Sequence, residues 1–217
     1  INAATTGAIT LNTSTIAANY SDTAANLVLA FTGITSHTGT ITVTGTAPTV
    51  AQANILDAVT AGVITATVET DSATDLATLT GTGNAYTVTI SEGSTATIAE
   101  LVTINAATTG GITLSTETIA ANLTGTAADL TSAFTGITSH SGTLTITGGT
   151  AATIAQLKTI NAATDDTVTL NAATISANFT DTVANLVLAF AGITTHTGTI
   201  AATGTAPTVA QANTLDA

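Results

Sequence analysis

The sequence predicts a repeat solenoid: a right-handed parallel β-solenoid with a short helix in most coils, built from strand-helix half-units of about 27 residues. Three observations carry this expectation. The string INAAT recurs at Ile1, Ile104 and Ile160. Short stretches alternate apolar residues with Thr. The stretches that follow them space their apolar residues by three and four. Right-handed winding is expected because crossovers from a strand through a helix to a parallel strand almost always take that hand.

The repeat comes first. A weaker copy of the INAAT start begins at Leu56, and Leu215-Asp216-Ala217 opens another. One segment, 1–217, therefore divides into repeats 1–55, 56–103, 104–159 and 160–214, with 215–217 starting a further one. Residues 1–58 and 160–217 align without a gap and are about three-quarters identical. The second repeat is short because it lacks the segment TIAANY (Thr15–Tyr20), which recurs later as TIAANL and TISANF. Both ends fall at the same phase, and no initiator Met or signal-type leader opens the chain. It reads as a mature piece of a longer array.

Within each repeat, Gly39–Gly45, Gly142–Gly148 and Gly198–Gly204 alternate with period two, as do Val63–Glu69 and Tyr86–Ser91, which predicts strands with one buried face. Thr suits them because its β-branched side chain favours the pleated backbone. Helices are predicted where Ile98, Leu101 and Ile104 recur every third residue, and again at Ile154, Leu157 and Ile160. A 3-4-3 stripe runs through Ala24, Leu27, Phe31 and Ile34, echoed by Ala127, Leu130, Phe134 and Ile137. Asp22 and Asp181 are the expected N-caps, and Gly33, Gly136 and Gly192 the expected C-terminal stops. The core is expected from Ile, Leu, Val and Ala, with Phe31, Phe134 and Phe190 as large fillers.

Composition removes several function classes. Among 217 residues there is one Lys or Arg against 13 acidic residues, for a net charge of −12. Nucleic-acid binding needs cationic side chains to displace counterions from phosphates, so no nucleic-acid partner is expected. Cys is absent, which excludes disulfides and thiolate metal sites. Mean hydropathy is +0.50, yet no apolar run approaches the roughly 20 residues that span a bilayer, so no membrane insertion is expected.

The segments ATLTGTGNAYTVTISEGSTAT (77–97), TGTAPTVAQANTLDA (203–217) and SDTAANL (21–27) resemble repeats of very large secreted proteins of cyanobacteria and other Gram-negative bacteria. These are the hemolysin-like, RTX-associated surface and adhesin proteins. The resemblance covers essentially the whole chain and implies an extracellular or cell-surface filament protein. The glycine-rich GGxGxDxUx nonapeptide of RTX proteins is absent, so their calcium roll does not carry over.

Chemistry-bearing residues recur in register. His37, His140 and His196 all follow Ile-Thr-(Ser/Thr) and read as structural turn residues, because neighbours in such a column stand too far apart to share an ion. Ser36 beside His37 has counterparts in Ser139-His140 and Thr195-His196, whereas enzymes build one site from non-equivalent residues; no catalytic residue and no enzyme activity are expected. Glu69, Asp71 and Asp75, with Asp165 and Asp166, are the weak candidates for a metal. Ca²⁺ is the ion they would take, but no cofactor is expected. Asn19, Asn122 and Asn178 share one register; Asn2, Asn105 and Asn161 share another, with Asp57 and Asp216 substituting. Both are read as structural columns bonding to neighbouring coils.

The functional expectation is a structural segment of an extracellular bacterial filament, surface layer or adhesin stalk, stacking coil on coil into a stiff rod. Its partners are further repeats or copies of itself, head to tail, with lateral copies beside them. The alternative is an adhesive module that grips glycans or a cell surface through turns such as Gly33–Gly39, where only Tyr20 and Tyr86 are placed to offer an exposed ring. A more remote alternative reads the outward ranks Thr40-x-Thr42-x-Thr44, Thr87-x-Thr89 and Thr143-x-Thr145-x-Thr147 as an ice-binding face, which Ala201 breaks in the last repeat.

Overall fold

The computed structural model describes residues 9–34 and 36–216. Ile1 and Asn2, the first members of two repeat registers, lie outside the described residues, as does Ala217. Helices and strands alternate along the chain, and the strand pairs are parallel. Two compact units result: Ile1–Ser94 with Thr103–Thr113, and Thr95–Val102 with Leu114–Ala217. The helix α5 (Ile98–Ala107) contributes residues to each.

The first unit carries α1 (Thr13–Ile16), β1 (Tyr20–Asp22), α2 (Ala24–Phe31), β2 (Ile41–Val43), α3 (Val50–Val59), β3 (Ile64–Thr67), α4 (Ala73–Leu76), β4 (Ala85–Thr89) and β5 (Ile112–Thr113). Its five strands form one sheet in the order β1-β2-β3-β4-β5. Alternation sends Ile41, Ile64, Tyr86 and Val88 fully inside, while Thr65 and Thr87 face out. The helices bury one stripe each: Ala24, Leu27 and Phe31 on α2, and Val50, Ala53, Leu56 and Val59 on α3. A capping box starts α3. Thr49 Oγ1 accepts from the Gln52 N–H, and the Gln52 side chain accepts from the Thr49 N–H.

The second unit carries α6 (Thr116–Ala120), β6 (Leu123–Thr126), α7 (Ala127–Phe134), β7 (Leu144–Thr147), α8 (Ile154–Ala163), β8 (Val168–Thr169), α9 (Ala172–Ile175), β9 (Phe179–Thr182), α10 (Val183–Phe190), β10 (Ile200–Thr203) and α11 (Val209–Asp216). Its strands form two sheets, β6-β7-β8 and β9-β10. Helix α8 packs against both α7 and α10, and α11 packs on the other side of the series, against α10. The chain segments approach closely at Gly142. A Cβ there would sit 2.6 Å from the Ala121 carbonyl carbon and 2.9 Å from the Ala120 oxygen.

The expected right-handed parallel β-solenoid is therefore corrected. Among the described residues, the chain is an α/β structure with three small parallel sheets of five, three and two strands, in which more residues lie in helices than in strands. The cause is local. Each sheet begins on the strand that follows a copy of TIAAN: β1 after Thr15–Asn19, β6 after Thr118–Asn122, and β9 after TISAN at Thr174–Asn178. The start of each copy closes a short helix instead of extending a strand, with Asn12, Ser115 or Asn171 as N-cap. Within two of these short helices a Thr hydroxyl accepts an N–H from the loop that precedes α5 or α8. The Ala96 N–H donates to Thr118 Oγ1 at 2.9 Å, and the Ala152 N–H to Thr174 Oγ1 at 2.8 Å. The second repeat lacks the segment, and there the sheet runs on unbroken through β3, β4 and β5.

The strand and helix positions otherwise follow the sequence pattern. Phe31, Phe134 and Phe190 are buried as expected, and Gly33, Gly136 and Gly192 end their helices at φ of +78°, +79° and +75°. The N-caps shift by one residue. Thr23 and Thr182 hold those places, and Asp22 and Asp181 sit just before them.

Candidate functional site

The three His side chains are held by aromatic packing. His37 lies 4.8 Å from the Phe31 ring and 5.4 Å from Tyr20. His196 lies 5.0 Å from Phe190 and 5.4 Å from Phe179, and His140 lies 5.1 Å from Phe134. Their polar contacts differ. His37 Nε2 meets the Ala18 carbonyl at 2.8 Å and its Nδ1 meets Thr60 Oγ1 at 2.9 Å. Thr60 Oγ1 also lies 2.8 Å from the Gly39 carbonyl, so its single proton serves either that oxygen or the imidazole. His196 Nε2 meets the Ala177 carbonyl at 2.9 Å. His140 is fully buried, and neither ring nitrogen has a hydrogen-bond partner. Burial pushes its pKa down. The Thr118 and Ala121 carbonyls near the ring, and the Asp166 charge, oppose that shift without reversing it.

Three of the candidate metal carboxylates, Asp71, Asp75 and Asp166, accept from nearby hydroxyl and N–H groups. Asp75 accepts the Ser72 hydroxyl at 2.6 Å in the first turn of α4, and Asp71 accepts the Ser72 N–H at 2.8 Å. Asp166 accepts from the Thr167 N–H and hydroxyl and from Thr143, contacts that hold its carboxyl below the usual range. Asp22 and Asp181 are lowered chiefly by the amides of Asn26 and Asn185, then by the N–H groups of Thr23 and Thr182. The Glu69 N–H donates to the Pro48 carbonyl, and the Asp165 N–H to the His140 carbonyl. Among the described residues, no three His, Cys, Asp or Glu side chains come together as a metal site.

Members of both Asn columns bond across to later segments of the chain. Asn19, Asn122 and Asn178 accept from the N–H groups of Thr40, Thr143 and Thr199 at 3.0, 3.0 and 2.8 Å. In the other column, Asn161 donates to the Leu188 carbonyl at 2.9 Å, while Asp57 accepts from Asn84 at 2.9 Å and from Thr80 at 3.0 Å. Asn84 is itself buried and accepts the Ile64 N–H at 3.0 Å. Beside this pair lies Tyr86, whose buried hydroxyl has no partner. Burial, reinforced by the Asp57 charge, raises its pKa far above the ordinary phenol value. Tyr86 therefore offers no exposed ring, and Tyr20 is half-buried.

Sequence reasoning missed two features. The first is this Asp57–Asn84–Tyr86 group, whose members sit too far apart in the chain to read as a cluster. The second is a cavity of about 850 Å³ over α2, lined by Tyr20, Asn26, Leu27, Leu29, Ala30 and Phe31. No protein-family model, no curated protein and no solved structure matches this chain.

Proposed function

We propose that this chain is a non-enzymatic structural segment of an extracellular bacterial filament, surface layer or adhesin stalk, in which like repeats pack against one another. The coil-on-coil rod is not part of this reading, because the sheets are separate. What supports it is the use of the repeated polar residues. Asn19, Asn122 and Asn178, the three residues of one register, make the same backbone bond from one segment to the next. A catalytic site converges unlike groups on one point, whereas here equivalent groups repeat an identical packing task. The absence of Cys and Met leaves no thiol or thioether to oxidise outside a cell.

Immunogold electron microscopy of intact source cells, with antibody raised to the folded chain, tests this reading. Label along a surface layer or appendage is expected. Label that appears only after the cells are permeabilised overturns it.

A further inference from the structure

Asparagine followed two residues on by Ser or Thr, with any residue but Pro between, is the acceptor triplet for N-linked sugar. Such a triplet begins at the last residue of each TIAAN or TISAN copy: Asn19-Tyr20-Ser21, Asn122-Leu123-Thr124 and Asn178-Phe179-Thr180. The middle residue differs each time, yet the triplet is complete in all three. Ser and Thr are frequent in this chain, so the triplet alone decides nothing. Its geometry does.

Extended backbone puts the first and third residues of each triplet on one side and the middle one on the other. Asn19, Ser21, Asn122, Thr124, Asn178 and Thr180 are exposed, whereas Leu123 and Phe179 are buried and Tyr20 is half-buried. In each triplet the Asn Oδ1 accepts a backbone N–H, from Thr40, Thr143 or Thr199. Only the oxygen of an amide accepts from an N–H, so the orientation is fixed and Nδ2 is the outer atom. Among the described residues, neither these Nδ2 atoms nor the hydroxyls of Ser21, Thr124 and Thr180 are hydrogen-bonded within the chain. Asn residues outside triplets behave differently. Asn26, Asn54, Asn84, Asn161, Asn171 and Asn185 have no Ser or Thr two residues on, and each commits Nδ2 to a carbonyl or carboxylate of the fold. Asn12-Thr13-Ser14 is a further triplet, but there the Ser14 hydroxyl is bound to Asn12 Oδ1 at 2.7 Å in the cap of α1.

We propose that Asn19, Asn122 and Asn178 are acceptor sites for N-linked sugar. Nδ2 attacks the anomeric carbon of a sugar carried on a lipid- or nucleotide-linked diphosphate, held by a glycosyltransferase. The N–C bond forms as the C–O bond to the diphosphate breaks. The diphosphate leaves with the bonding electron pair, and one amide proton passes to a base of the transferase. The fold uses Oδ1 alone, so the sugar displaces no hydrogen bond, whether it is added before or after folding. Position gives the sugar a task. Among the described residues β1, β6 and β9 each pair with one strand only, so each has an edge with no strand beside it. A bulky, hydrated group at the start of such an edge blocks pairing with another chain. The proposal goes beyond the structural reading above and rests on it only for the chain's place outside the cell.

Peptide mass spectrometry of the chain purified from its source cells, after digestion with a protease of broad specificity, tests it. Sugar mass is expected on the peptides of Asn19, Asn122 and Asn178, with fragment ions that place it on Asn, and not on those of Asn54, Asn84 or Asn161. Thr124→Ala, expressed in the same cells, should lose the sugar at Asn122 and nowhere else, although the Asn122 bond to Thr143 is untouched. Thr124→Ser should keep it. Circular dichroism on both variants shows that a loss of sugar is not a loss of fold. Bare Asn at all three positions of the native chain overturns the proposal, as does sugar carried on Ser or Thr hydroxyls alone. A Thr124→Ala chain still modified at Asn122, or sugar found equally on Asn residues outside triplets, does so too. The surface labelling described above is read separately. Bare Asn residues on a chain labelled at the surface reject these sites and leave the structural reading standing, whereas sugar on a chain labelled only in permeabilised cells rejects that reading and leaves the sites.

Discussion

His140 and His37 occupy the same repeat position, and replacing each by Leu should change stability in opposite directions. The His37 ring nitrogens contact the Ala18 carbonyl and the Thr60 hydroxyl. Removing the ring leaves that carbonyl unpaired, and His37→Leu should cost about 2 kcal/mol. The His140 nitrogens are buried and have no partner. Leu removes two unsatisfied groups at about 1 kcal/mol or more each, against roughly 0.5–1.5 kcal/mol lost with the Phe134 ring contact. His140→Leu should therefore stabilise by about 1 kcal/mol. The pH dependence carries a further sign. Burial lowers the His140 pKa below its ordinary 6.5, so the unfolded chain binds the proton more tightly than the folded one. The stability tied to neutral His140 is complete above pH 6.5 and falls as pH drops below it, with a limiting slope of about 1.4 kcal/mol per pH unit. Urea denaturation followed by circular dichroism at pH 5 and pH 7.5 measures both effects. The advantage of His140→Leu over the parent should be larger at pH 5. A His140→Leu variant as destabilised as His37→Leu, or an advantage that does not change with pH, refutes the reasoning.

Gly142→Ala places a methyl against the Ala121 carbonyl group and should cost about 3 kcal/mol, lowering Tm by roughly 10 °C; at Gly149 a Cβ meets nothing within 4 Å, so Gly149→Ala should be neutral or slightly stabilising. Thermal melts of the pair check the contrast. Tyr86→Phe deletes a buried hydroxyl without a partner and should raise stability by about 1 kcal/mol in urea titration. Thr174→Val leaves the Ala152 N–H without its acceptor and should cost about 1–3 kcal/mol, with faster amide exchange at Ala152 as the local signature.

The legible part of the fold was the part written in local periodicity. The alternation at Gly142–Gly148 and the stripe through Ile154, Leu157 and Ile160 become β7 and α8, because each needs only one face to turn inward. What local pattern does not encode is whether neighbouring strands continue one another. TIAAN was visible as an insertion, but that Thr118 and Thr174 would receive the N–H groups of Ala96 and Ala152 depends on partners about 22 residues away. The one-residue shift of the N-caps has a local cause. Asp22 and Thr23 both accept hydrogen bonds at the start of α2, and only backbone geometry separates the cap from its neighbour. His140 defeats sequence reasoning altogether, since nothing in ITSHSG distinguishes its unsatisfied ring from the bonded ring of His37 in ITSHTG.

The short segment that opens each sheet acts as punctuation. Deleting or inserting it in any repeat should lengthen or cut the run of strands that exchange amide protons as one block, while caps, stripes and glycine stops elsewhere keep their places. Because the first and last repeats are so alike, unequal recombination between them can add or drop whole repeats without shifting the phase. An array of this kind can therefore vary the size of its cooperative blocks by genetic rearrangement alone, with no new side chain required.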